Sequence, residues 1–407
     1  MPSFDQLAAV GAVAGAVDPV PWARSQMAFT LGFHIILVPL GVSWAAMALI
    51  ANYRGVARRG RARPGARAGA PVSTTVAVVL LLALAAYAAF GGADFGAGFW
   101  DLTAGGAERG AAPRAVVERS IGPVWEANHV WLIFVLVVTW TAFPEAYASI
   151  WLTMFVPLTI AALGIVLRGA SFAFRKAVVG PRLRRVFGGG FALSSVLVPF
   201  CLGAVAGGIA AGEVPAGGRA GDPVGSWLNP VSIAVGVLAV ALAAYLAAVY
   251  LVHDARQGDD PAMVGYFRRR AVVAAVVAGV VAAVGLVVVD RDAHPVFEGL
   301  VTTALPLVVA GTLCAVGALL LLVRDAPRGA RVLAVLAVAS VIAAWGAAQW
   351  PDLLPGALSV ADAAAPDGTL VALVAAVALG VLLVGPAFVL LYVLAQRRLL
   401  PEEGVEP

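Results

Sequence analysis

Charge is scarce in this sequence: Asp, Glu, Lys and Arg together make up 12% of its 407 residues, about half the roughly 25% usual in a soluble domain. Cysteine is scarcer still. Cys201 and Cys314 both fall inside apolar stretches, form no metal-ligand spacing, and read as small buried hydrophobes. There is no phosphate-binding loop, dinucleotide fingerprint or nucleophile elbow, which argues against soluble-type catalysis. Short segments of alternating polarity are missing too, and with them the signature of a membrane β-barrel. No internal period marks a solenoid, and no loop is long enough to make a soluble domain. Residues 1–21 hold Asp5 but no Lys or Arg, so they read as a short tail and not as a leader with a basic start.

What the chain has in abundance is apolar length. Hydrophobic residues are 61% of the total, and stretches of the ~20 residues needed to cross a hydrocarbon core recur along the chain. The expectation is an all-α integral membrane protein of about ten transmembrane helices. They are placed near Ser25–Ile50, Val72–Phe99, Gly122–Ala142, Ala146–Leu167, Gly189–Ala211, Pro230–Leu251, Val272–Val289, Val301–Val323, Val332–Trp350 and Leu370–Ala395. Frequent Gly and Ala suit close helix packing in lipid.

The net charge of +4 is therefore no sign of a nucleic-acid partner; what matters is the side on which the cations lie. From Val72 onward, loops on one face hold 18 Lys and Arg, whereas the opposite face holds Arg219 and Arg291 beside Glu145, Glu213, Asp352, Asp362 and Asp367. The positive-inside rule puts the rich face, and the C-terminus, in the cytoplasm. The linker 51–71 conflicts with this scheme, because it carries six arginines and no acid yet falls on the outer face.

Ionisable groups in membrane helices cost on the order of 2.5–3.5 kcal/mol each and point to function. His34, in Gly32-Phe-His34-Ile-Ile-Leu-Val-Pro39, is a candidate axial haem ligand, with Gln26 and Thr30 on the same helix side; a histidine hydrogen-bonded within the bundle is the plainer alternative. Asp94, amid the glycines of Gly91-Gly92-Ala-Asp94-Phe-Gly96-Ala-Gly98, reads as the mouth of a proton path or as a partly solvated helix-end acid. Glu126 and His129, in Pro123-Val-Trp125-Glu126-Ala-Asn128-His129-Val-Trp131, share one helix face, with Glu126 in the first turn where the dipole favours it. They fall at the same membrane face as Asp94, which suggests a shared proton entry. Trp125 and Trp131 read as interfacial anchors or packing. Arg168 ends its apolar stretch and reads as snorkelling, or else as the charge partner of Asp94 or Glu126.

These motifs resemble subunit II of cytochrome bd-type quinol oxidases. The resemblance rests on Asp94-Phe-Gly-Ala-Gly-Phe-Trp-Asp101-Leu, Ser120-Ile-Gly-Pro-Val-Trp-Glu-Ala-Asn-His-Val-Trp-Leu132, Thr141-Ala-Phe-Pro-Glu-Ala-Tyr-Ala148, Arg168-Gly-Ala-Ser-Phe-Ala-Phe-Arg175, Trp350-Pro-Asp-Leu-Leu-Pro355 and Ala363-Ala-Ala-Pro-Asp-Gly-Thr-Leu370. Their order and spacing match over about four-fifths of the chain, with Gly96, Gly98, Trp125, Asn128 and Trp131 among the matching positions. The family usually has an Asp where Gly91 stands and Asp-Gly-Asn where this chain has Glu126-Ala-Asn128. Arg24–Gly41 is similar instead to the first helix of subunit I, including its haem-ligating histidine.

The resemblance implies nine helices arranged as two four-helix bundles plus a peripheral helix. The division it suggests is 1–71 (tail, subunit I-like helix and Arg-rich linker), 72–400 (membrane domain) and 401–407 (C-terminal tail). It further implies a subunit I-like, haem-bearing membrane partner, quinol as substrate, and haem mostly in that partner, with His34 as a candidate shared ligand. The setting is a bacterial plasma membrane, with the proton path through Asp94, Glu126 and His129. A stand-alone membrane haem protein ligated through His34 is one alternative. A secondary transporter is another, although matched broken helices, its usual mark, are missing.

Overall fold

The computed structural model describes residues 70–106, 108–121, 125–177, 181–326 and 328–396; the side chains at 121–129, and several within 172–185 and 383–396, lie outside that description. His34, the helix expected at Ser25–Ile50 and residues 51–69 of the linker also lie outside the described residues.

Helices dominate. They are α1 (Ala70–Thr103), α2 (Ala111–Ile121), α3 (Trp125–Ala142), α4 (Pro144–Thr153), α5 (Phe155–Ala177), α6 (Pro181–Ala210) and α7 (Pro230–Gln257). There follow α8 (Pro261–Asp292), α9 (His294–Val301), α10 (Leu305–Val323) and α11 (Ala330–Ala348). A two-stranded antiparallel hairpin, β1 (Asp352–Leu354) and β2 (Leu358–Ser359), leads to α12 (Val360–Ala363) and α13 (Asp367–Gln396). Among the described residues, six helices are long and apolar enough to cross a membrane, or seven if α3 and α4 form one broken span. Large apolar side chains such as Leu82, Val166, Leu313 and Leu382 stay exposed on the outside of the bundle, as in a protein whose solvent there is lipid.

The helix expected over Ala146–Leu167 is in fact two. Pro144 pushes Phe143 out of helical geometry and opens α4 at its first position. Pro157 then lacks the N–H that would bond to Thr153, and its ring would strike that carbonyl, so α4 ends at Thr153 and α5 begins at Phe155. Between α3 and α4 the axis turns by 119°. The turn lays α4 across the end of the bundle. Glu145, Ser149 and Thr153, spaced four apart on one face of α4, accept the backbone N–H groups of Gly217, Gly218 and Gly221 at 2.9–3.0 Å. The loop between α6 and α7 is thus clamped down, and its Asp222 carboxyl is held below the usual carboxylate range by the N–H groups of Val224 and Gly225.

Two four-helix groups can be drawn, α1, α3, α5 and α6, then α7, α8, α10 and α11, with α13 lying against α1 and α3. They meet where α7 packs on α1 and α6. Backbones come close along that seam. A Cβ at Gly96 would overlap the Ala243 carbonyl, and one at Gly207 would come within 2.6 Å of Ser232 Cα. The Trp100 indole N–H donates to Ala244 O at 2.7 Å across the same seam.

The arginines gather at one end. Asp101, near the end of α1, pairs with Arg114 at 3.1 Å. Asp325, after α10, is shared between Arg256 of α7 and Arg268 of α8. Burial pushes the Asp325 carboxyl up, but the Arg268 hydrogen bond and the charges of Arg268 and Arg256 together hold it below its ordinary value.

A buried ion pair in the first bundle

Asp94 lies on α1 nine residues before its end, about 14 Å along the helix axis. It is 5% exposed and Arg168 is 3% exposed. Neither is solvated, and α5 carries on past Arg168 to Ala177, so the arginine does not snorkel. One guanidinium nitrogen, Nη2, donates to both Asp94 Oδ1 and the Asp94 backbone carbonyl, each at 2.8 Å. The other, Nη1, donates to Ser195 Oγ of α6, which in turn donates to Phe191 O at 2.6 Å. The rings of Phe95 and Phe191 flank the guanidinium, with centroids 5.1 and 4.2 Å from its central carbon. Three helices therefore meet on one planar cation. Gly98 explains how it fits: a Cβ there would overlap Ser195 Oγ and come within 2.9 Å of Arg168 Nη1. The glycines around Asp94 therefore serve two partners, Gly96 admitting α7 and Gly98 admitting Arg168.

The pair compensates its own charges, as a buried ion pair must. It leaves one atom over. Asp94 Oδ2 is buried and meets no hydrogen-bond donor among the described residues. Ser171 Oγ, one turn beyond Arg168 toward the arginine-rich end, is likewise buried without a partner among the described residues, as is the Tyr87 hydroxyl on α1. Tyr87, Asp94 and Asp101 recur every seventh residue, so they share one stripe of the helix. That spacing was visible in the sequence. Ser171 and Ser195 carried no such signal.

Glu126 lies in the first turn of α3 and His129 at the start of its second, and α3 packs against α1; their side chains, with those of Trp125 and Asn128, lie outside the described residues. Trp131 does pack inward, stacked on Phe90 of α1 with centroids 6.4 Å apart. Cys201 and Cys314 are free and sit on different helices. Among the described residues no three His, Cys, Asp or Glu converge on a metal. The two histidines with described side chains stand at helix ends, His253 beside Gln257 and His294 beside Asp290. Neither fits an axial haem ligand inside the bundle.

The profile of the family described as "Cytochrome bd terminal oxidase subunit II" matches residues 72–395. The chain belongs to that family. Part of it is 34% identical over 112 residues to cytochrome bd ubiquinol oxidase subunit 2 of Bacillus subtilis, covering 28% of this chain and 32% of that protein. A stretch of 129 residues is 26% identical to cytochrome bd-I ubiquinol oxidase subunit 2 of Escherichia coli K12, covering 32% of this chain and 33% of that one. The matched stretches thus span about a third of each curated relative. The fold is shared further. The bd oxidase structure from Geobacillus thermodenitrificans aligns with a TM-score of 0.64 and 24% identity, covering 79% of this chain and 98% of that one. The chain is a multi-pass bacterial membrane protein of the bd oxidase subunit II family.

Proposed function

We propose that this subunit works beside a subunit I-like, haem-bearing partner in a plasma-membrane complex that oxidises quinol and reduces oxygen. Its own part is to carry protons inward from the cytoplasmic, arginine-rich face. The domain 72–400 provides the bundle, and residues 1–71 add a helix whose His34 is a candidate ligand for haem shared with the partner. The names of the curated relatives support the quinol and oxygen chemistry. The observation that carries the proton role is the buried Asp94–Arg168–Ser195 network. Oxygen reduction consumes protons, and a proton crossing an apolar bundle needs polar stations. Arg168 fixes Asp94 Oδ1 and leaves Oδ2 buried with no partner among the described residues. Ser171 stands between that carboxylate and the arginine-rich end. Glu126 and His129, in the first two turns of the adjacent α3, are the proposed companions at the entry.

The test is the assembled complex carrying Asp94→Asn or Glu126→Gln, assayed for quinol-driven oxygen uptake with the haem absorption bands recorded in parallel. A loss of roughly 10²-fold or more is expected, the usual range for a lost proton-transfer group. Unchanged uptake with intact haem bands would remove both residues from the mechanism.

A further inference from the structure

The seam between α1, α5 and α6 that holds the ion pair continues away from the arginine-rich end. One helical heptad along, the chain places Tyr87 of α1, Ala161 of α5, and Val198 and Cys201 of α6, all buried. Leu132 and Trp131 of α3 close the layer. Among these apolar neighbours a phenol is costly, because a buried hydroxyl without a hydrogen bond loses about 1–3 kcal/mol. Tyr87 is 9% exposed, and its hydroxyl meets no partner among the described residues.

The direction of the side chain is informative. The ring lies over Gly91: a Cβ there would sit 2.8 Å from Tyr87 Cε2, 3.1 Å from Cδ2 and 3.4 Å from Cζ. Gly91 is one turn nearer to Asp94, so the ring reaches along the helix in the direction of Asp94. Any side chain at 91 would push the ring aside. The two unpartnered atoms are chemically complementary, since a phenol O–H donates whereas a carboxylate oxygen only accepts. They lie on one stripe of α1, seven residues and about 10 Å of axial rise apart, a gap that the reach of the phenol shortens. A buried water needs two to four polar partners, and this pair supplies two.

We propose that the Tyr87 hydroxyl and Asp94 Oδ2 hold a water between them, extending the polar file one heptad deeper into the bundle and making Tyr87 a positioning residue for proton delivery. This rests on the proton-carrying reading of Asp94. The phenol gains no net proton. Its O–H donates to the water oxygen, and the water in turn donates to Asp94 Oδ2, which accepts.

The decisive variant is Tyr87→Phe in the assembled complex, because it keeps the ring over Gly91 and removes one oxygen. The readout is proton uptake from the inner side after an oxygen pulse to the reduced complex, followed with a pH-indicator dye in H2O and D2O. Uptake should slow on the order of tenfold, with a larger solvent isotope effect, while the haem bands stay unchanged. Gly91→Ala, which displaces the ring but keeps the hydroxyl, should slow it as well. If Asp94→Asn slows uptake and Tyr87→Phe does not, Tyr87 has no part and the reading of Asp94 stands. If neither slows it, both fall. If Tyr87→Phe prevents assembly, the hydroxyl is a structural group and the proposal is overturned.

Discussion

At the scale of single residues, the decisive fact is that Arg168 faces inward. The sequence left it between snorkelling at a helix end and neutralising an acid; the position of α6 and its Ser195 settles where the guanidinium goes. Arg168→Ala would strand the Asp94 carboxylate in an apolar seam, a loss of about 3–5 kcal/mol. The double variant Arg168→Ala, Asp94→Asn removes the stranded charge and should recover much of that loss. Complex yield and thermal midpoint in detergent would measure both, and a double variant no better than the single one would mean the two charges are not coupled. Lysine is a poor substitute, since it lacks the planar fork that reaches Asp94 and Ser195 together. Asp94 was legible as a functional candidate because an acid in an apolar helix is expensive. Tyr87 was not, because a tyrosine in such a helix reads as packing until its ring is seen lying over Gly91.

At the scale of elements, local rules explain most of the boundaries. Prolines open α4, α7 and α8 at their first turns and split what looked like one helix into α4 and α5. Close approach is set by glycines that the sequence could not rank. Gly92 and Gly96 both face α7, yet they are not equivalent. A Cβ at Gly92 meets Leu246 Cδ1 at an ordinary 3.5 Å, whereas at Gly96 it strikes backbone of Ala243 that no rotamer change can move. Gly92→Ala should therefore be near neutral, and Gly96→Ala should cost about 1–3 kcal/mol as α1 and α7 are forced apart. Thermal denaturation of the purified complex would separate them; equal effects would refute the idea that the α1–α7 seam is limited by backbone contact.

At the scale of the whole molecule, charge asymmetry and packing tell one story. Arg114, Arg256 and Arg268 cluster with their acids at one end of the bundle, while the clamp of α4 on the loop before α7 covers the other. The orientation proposed from this asymmetry is testable by labelling. In a chain with Cys201 and Cys314 replaced by alanine, a cysteine at Ala220 should react with a membrane-impermeant maleimide in intact cells. One at Gln257 should react only after permeabilisation. The reverse pattern would turn the protein over and take the proposed proton entry to the wrong side.

The membrane class, the approximate helix positions after Val72, the family and the candidacy of Asp94 were all written in the linear chain, because apolar length and short motifs are local properties. What needed the tertiary structure was partnership. Asp94 meets Arg168 across 74 residues, and Glu145, Ser149 and Thr153 meet a loop some 70 residues later. A buried charge or backbone group must find its complement somewhere. The linear sequence states that need, but only the packing of helices against one another decides which distant residue meets it.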